Sequence, residues 1–273
     1  MFEDIIQAAL AEDLEHSGDI TTHCVMADET ICFSVNARES MVISGMVVVR
    51  DFYAMYGEDM VVDLLKADGS IASPGDSILV GKGKASLILS IERTLLNFLQ
   101  RASGISSLTR EFVDLVRGTK AVIRSTRKTS PCLRKFDLYA VSVGGGSSYR
   151  MGLYDGIMVK DNHISSCGSI TECVSRIRSK MGNNAVITVE CDSILQVDES
   201  IKNRVHTILL DNMSVSEIHD AVSLIKGRTK VEASGGITKE NVRKVAEAGV
   251  DYISIGSITN AFKCKDIGLD IAS

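Results

Sequence analysis

With 273 residues, 45% of them hydrophobic and 24% charged, the chain has the make-up of a globular protein, with room for one large α/β domain or a barrel with a small companion. A net charge of −5 argues against nucleic acid as the main partner, and the lack of any 18-residue apolar run argues against a membrane span. Seven scattered cysteines without CxxC spacing, and an acidic start (MFEDIIQAALAEDLEH) with no basic signal-peptide region, point to a cytoplasmic protein with reduced thiols.

Ile5, Ile6, Ala9, Leu10 and Leu14 recur at helical spacing, so residues 2–14 are predicted as an amphipathic helix, broken by Ser17-Gly18-Asp19. The β-branched stretches 31–37 and 41–50 read as strands, 51–57 as helix and 60–66 as strand. Asp68-Gly69 and Pro74-Gly75-Asp76 signal turns, and strand propensity carries from Ile78 through to Ser90. From Glu92 to Val116 the apolar residues follow a 3.6 period, with a break expected near Ser103-Gly104. A first domain therefore covers residues 1–117.

After Gly118 strands alternate with helices, the pattern of a parallel βα-repeating architecture. The strands expected are 121–126, 156–160, 185–191, 205–210, 230–233 and 251–255, and the helices 132–142, 169–181, 193–202, 214–226 and 238–249. Six such units suggest a (βα) barrel over residues 118–260, complete or partial. An open doubly wound sheet is the alternative. The barrel is favoured because every strand ends in polar residues, and carboxyl ends of parallel strands are where ligands bind.

Those ends carry chemistry. Thr126-Arg127-Lys128, Arg150 after the triple glycine 144–146, and Lys160-Asp161-Asn162-His163 supply cations suited to carboxylates and phosphates. Glu190 and Asp211 end neighbouring strands, where a carboxylate pair can hold Mg²⁺; each can equally cap a helix or pair with the lysines. Ser234-Gly235-Gly236 and Gly256-Ser257 sit between strand and helix, where backbone N–H groups can cradle a phosphate, or the glycines can simply turn the chain. Arg124 and Arg134 read as solvated, His163 as a cap or a ligand contact, and Arg101 as an ordinary surface arginine.

EDLEHSGDITT (12–22), ERTLLNFLQRASGIS (92–106), TRKTSP (126–131), GGGSSYRMGLYDGIMVKDNH (144–163), VEASGGIT (231–238) and DYISIGSIT (251–259) together resemble the quinolinate phosphoribosyltransferase family in order and spacing. The resemblance implies an N-terminal α/β sandwich-like domain and an incomplete (βα) barrel, with the tail 261–273 packing back on the first domain. It also implies a homodimer with shared active sites, or an assembly of such dimers, Arg101 reaching the quinolinate carboxylates in the neighbouring subunit. Thr126, Arg127, Lys128, Tyr149, Arg150 and Lys160 would face quinolinate and the phosphates of phosphoribosyl pyrophosphate. Glu190 and Asp211 would contact the ribose and Mg²⁺, and Ser234, Gly235, Gly236, Gly256 and Ser257 the 5′-phosphate. Lys128, Lys160, Glu190 and Asp211 would be the catalytic set.

The implied reaction is phosphoribosyl transfer to quinolinate with decarboxylation to nicotinate mononucleotide, in NAD biosynthesis. Other readings are a paralogous transferase acting on nicotinate or another aromatic acid, an inactive phosphate-binding barrel, and a barrel aldolase with Lys160 as Schiff base. The chain departs from the family pattern at Tyr149, where histidine is usual, and at Cys132, where glycine is common. A phenol lacks the imidazole's charge but still donates a hydrogen bond.

Overall fold

The first helix, α1 (Glu3–Leu14), buries Ile6 and Leu10 and places Glu3 and Asp4 in its first turn, where they complement the helix dipole; the computed structural model that shows it describes residues 1–272. The chain continues through α2 (Ile20–Val25), β1 (Thr30–Ala37), β2 (Met41–Val42), α3 (Met46–Tyr56), β3 (Met60–Leu64), β4 (Ile71–Ala72), β5 (Ser77–Lys84) and the 31-residue α4 (Ala85–Leu115). Strands β1, β5 and β3 pair antiparallel in that order.

Three expectations are corrected here. The stretch 41–50 is a two-residue strand followed by helix, because the Asp68 carboxylate accepts from the Gly45 and Met46 N–H groups and starts α3; a cap borrowed from a distant residue overrides the β propensity of the valine run. Strand propensity to Ser90 fails for a different reason. Ile88, Ile91, Leu95, Leu99 and Ala102 form one buried stripe, and that 3.6 period makes the segment helix from Ala85 onward. Nor is α4 broken at Ser103-Gly104: a Cβ on Gly104 would stand 2.5 Å from the Lys263 carbonyl, so this glycine permits close approach of the tail.

The second unit opens with β6 (Val122–Arg124). Helix α5 (Arg134–Val143) follows, then β7 (Ile157–Val159), α6 (Asp161–Cys167), α7 (Ile170–Met181), β8 (Ile187–Cys191), α8 (Ile194–Lys202), β9 (Thr207–Asp211), α9 (Val215–Ile225), β10 (Lys230–Ser234), α10 (Val242–Glu247), β11 (Tyr252–Ser254) and α11 (Ser257–Asn260). All six strands are parallel, in the order β6-β11-β10-β9-β8-β7. Because the last strand pairs with the first, the sheet curls into a barrel rather than reversing at a switch point, and its one open seam lies between β6 and β7. Serine caps hold the outer helices: Ser169 accepts from the Glu172 N–H, and Ser214 forms a capping box with Glu217.

Residues of one unit are not all consecutive. Met1–Arg110, Thr129–Gly145 and the chain from Ala261 onward make the first, Glu111–Lys128 and Gly146–Asn260 the second. Helix α5, drawn by the sequence into the barrel, belongs with the first unit, where buried Phe136 meets Phe2 and Phe98 edge-to-face at 5.3 and 5.2 Å. The last strand, β12 (Ile267–Ile271), pairs antiparallel with β1.

Candidate active site

A cavity of about 750 Å³ opens at the carboxyl ends of the barrel strands. Thr126, Arg127, Lys128, Tyr149, Arg150, Lys160, Glu190 and Asp211 line it, with Ser234-Gly235-Gly236 and Gly256-Ser257. Strand alternation explains the convergence. Glu190 lies opposite Leu209 in the β8–β9 register, so Asp211, two residues on, projects from the same face.

The cations are unequal. Lys160 forms an ion pair with Glu190, and its backbone N–H donates to His163 Nδ1 at 3.0 Å, which makes His163 a cap for the start of α6. Arg150 donates from Nη1 to the Gly156 carbonyl at 2.9 Å. Burial, and then the neighbouring charge of Arg127, hold its guanidinium below the usual arginine value. The Arg127 Nε is buried with no hydrogen-bond partner. Lys128 is fixed through its backbone, its N–H donating to Thr126 Oγ1 and its carbonyl accepting from Thr259 Oγ1 at 2.9 Å. A Cβ on Gly256 would stand 3.0 Å from the Lys128 Cδ, so the glycine makes room for the lysine stem.

On the opposite wall, Asn212 adopts a left-handed conformation at φ 55° and donates to Asp211 at 2.8 Å. A side chain on Gly235 would collide with it at 2.2 Å, so the Asp211 and Ser234-Gly235-Gly236 loops interlock through that glycine.

Glu232 was missed by the sequence reading. It lines the cavity at 2% exposure, accepting from Arg124 Nη1 at 3.0 Å and from Ser254 Oγ. Arg124, expected in solvent, is instead partly buried against the Tyr252 ring, its Cζ 3.1 Å from the centroid. The signal was present: one glutamate in KVEAS and one arginine in VIRS, on strands a barrel brings together, where buried charges need partners.

Known proteins are similar to this chain over nearly its whole length. Family models described as the N- and C-terminal domains of quinolinate phosphoribosyl transferase match residues 19–103 and 105–270. The chain belongs to the quinolinate phosphoribosyltransferase family. The crystal structure of nicotinate-nucleotide pyrophosphorylase from Ehrlichia chaffeensis is 50% identical, with a TM-score of 0.97 over 100% of this chain and 99% of that one. Nicotinate-nucleotide pyrophosphorylase (carboxylating) of Mycobacterium leprae is 39% identical over 98% of this chain and 96% of its own length. Quinolinate phosphoribosyltransferase (decarboxylating) 1 of Nicotiana glauca is 36% identical over 98% of this chain and 81% of its own.

Two features bear on how a quinolinate phosphoribosyltransferase would use this cavity. Glu190 and Asp211 are hard oxygen donors on one face, and no cluster of three or more His, Cys, Asp or Glu ligands exists among the described residues. That donor set fits a Mg²⁺ completed by substrate oxygens and does not form a closed cage. Arg101 lies in the first unit and does not line the cavity. Its Nε and Nη2 donate to the fully buried Asp137 at 2.8 and 2.9 Å, and Nη2 also to Ser130.

No helix of the described residues is long and apolar enough to cross a membrane.

Proposed function

We propose that this chain transfers the phosphoribosyl group of phosphoribosyl pyrophosphate to the nitrogen of quinolinate, with loss of the 2-carboxylate as CO₂, giving nicotinate mononucleotide and pyrophosphate. The observation that carries the reading is the charge of the cavity. Arg127 lies close enough to Arg150 to weaken its proton hold, Lys128 and Lys160 line the same space, and of the carboxylates at the strand ends Glu190 is ion-paired with Lys160. Such a cluster is held for a polyanion, and a dicarboxylate with a pyrophosphate ester supplies one.

Arg127 and Arg150 grip the two carboxylates and aim the ring nitrogen at C1 of the ribose. As the C1–O bond breaks, the pyrophosphate takes the electron pair, and Lys128 and Lys160 stabilise its charge. Glu190 and Asp211 would hold Mg²⁺, which neutralises phosphate oxygens when bound. Once the N–C1 bond has formed, the adjacent carboxylate leaves as CO₂, the bonding pair stays on C2 where the positive pyridinium nitrogen stabilises it, and that pair takes up a proton. No step needs a protein nucleophile. Ser234-Gly235-Gly236 and Gly256-Ser257 receive the 5′-phosphate on backbone N–H groups.

We also assign the chain to a homodimer in which Arg101 serves the site of the partner copy, and to the cytoplasm, where its free thiols stay reduced. The deciding assay supplies phosphoribosyl pyrophosphate and Mg²⁺ with either quinolinate or nicotinate, and measures mononucleotide and CO₂. Quinolinate is expected to give both products. A mononucleotide from nicotinate alone, without CO₂, would move the chain to the paralogous reading, and no product from either to the inactive barrel.

A further inference from the structure

We propose that Tyr149 is a positioning residue, which bridges the open seam of the barrel and holds Arg150 in the cavity wall. The proposal rests on the quinolinate reading above for its substrate. Edges β6 and β7 are the two strands without a second neighbour, and the chain between them closes part of the gap. Ser147 pairs with the edge of β6, its carbonyl accepting from the Ser125 N–H at 2.8 Å and its N–H donating to the Ile123 carbonyl at 2.9 Å. Two residues later the side chain of Tyr149 crosses to the other lip. Its hydroxyl donates to the Ile157 carbonyl of β7 at 3.3 Å and accepts from Thr188 Oγ1 of β8 at 3.0 Å. Its ring stands 5.8 Å from the Arg124 guanidinium of β6. One residue thus touches three strands, including both sides of the seam.

Arg150 depends on this placement. A Cβ on Gly156 would meet the Arg150 Cδ at 3.2 Å and the Tyr149 Cζ at 3.3 Å, so a single bare glycine admits both side chains to one spot. The Arg150 fork then anchors on the Gly156 carbonyl. With its hydroxyl committed to Ile157 and Thr188, Tyr149 adds no charge to the cavity. Within one chain, recognition of the dicarboxylate therefore falls on Arg127 and Arg150, and the part of Tyr149 is to keep Arg150 aimed. Thr188 is 1% exposed and donates to nothing else, so the bond is as necessary to the threonine as to the tyrosine.

The test is a double-mutant cycle read on steady-state kinetics. Tyr149→Phe should raise the KM for quinolinate about fivefold, with kcat and the KM for phosphoribosyl pyrophosphate moved less than about twofold, the pattern of weakened ground-state binding at one substrate. Thr188→Val should do the same from the other end of the bond, and the double variant should be no worse than the more affected single, because the two changes remove one interaction. An unchanged quinolinate KM in Tyr149→Phe overturns the proposal. So do single effects that multiply in the double variant, or losses spread equally over both substrates. If the unsubstituted protein makes no mononucleotide from quinolinate, the functional reading itself fails and takes the proposal with it.

Discussion

Two guanidiniums that share a cavity repel each other until an anion comes between them. Arg150 is below its ordinary value because it is buried and because Arg127 is near, yet an arginine remains charged at any working pH. The repulsion is therefore present in the free enzyme, and the proposed grip on the two carboxylates would relieve it. Arg150→Ala should lower kcat/KM for quinolinate roughly 100-fold, the equivalent of about 3 kcal/mol for a lost charged contact. Lys128→Ala should reduce turnover at least as strongly while leaving quinolinate affinity closer to normal. Initial rates with each substrate varied separately check both, and near-normal rates in both variants would remove the assignment. At the same scale, Glu232 marks what composition alone could not reveal. The cations were legible because each follows an apolar run or, for Arg150, the triple glycine, whereas Glu232 sits inside such a run and gains meaning only once β6, β11 and β10 are adjacent. Glu232→Gln removes the buried carboxylate that pairs with the partly buried Arg124 and should cost on the order of 1–3 kcal/mol, read as a lower urea midpoint.

Among the elements, the barrel was legible and the first unit much less so. Six short apolar runs, each with a polar end and the first five followed by an amphipathic helix, specify βα units by periodicity, and all six strands form near the expected positions. The first unit depends on contacts no local pattern contains: Asp68 starting α3 from 22 residues away, and α5 leaving the barrel because Phe136 packs on Phe2 and Phe98. Strand β8 and helix α7 also carry a pH response. Burial pushes the Cys191 thiol up to about 12 and the Cys173 thiol up to about 11, from an ordinary value of 9.0. Both folded-state values are raised, so the folded chain keeps protons that the unfolded chain loses. Their contribution is intact below about pH 9 and is lost as pH rises toward the folded values. Urea midpoints should fall from pH 8.5 to 10.5, and Cys191→Ala should flatten that fall, by up to about 1.4 kcal/mol per pH unit. Parallel slopes for the two proteins would show that Cys191 does not titrate as its burial requires.

For the whole molecule, the arrangement of Arg101 poses the question of where the site ends. It lies in the first unit, and the cavity with its cation cluster lies in the second. Its guanidinium is fixed by Asp137 and Ser130, and Nη1 has no hydrogen-bond partner among the described residues. The guanidinium also packs over the Phe262 ring at 5.0 Å and keeps 19% of its side chain exposed, so that edge is free to meet an anion. If two copies exchange this residue, an Arg101→Ala chain and a Lys128→Ala chain repair each other when they pair. The mixed dimer then has one site with both residues intact and one with neither. Random reassociation makes half the dimers mixed, so co-refolded or co-expressed variants should recover about a quarter of normal activity from two nearly inactive parents. Recovery at that level, dependent on exchange of subunits, places Arg101 in the site of the partner copy. Two inactive parents whose mixture stays inactive, in a preparation where mixed dimers are demonstrably formed, would confine each site to a single chain.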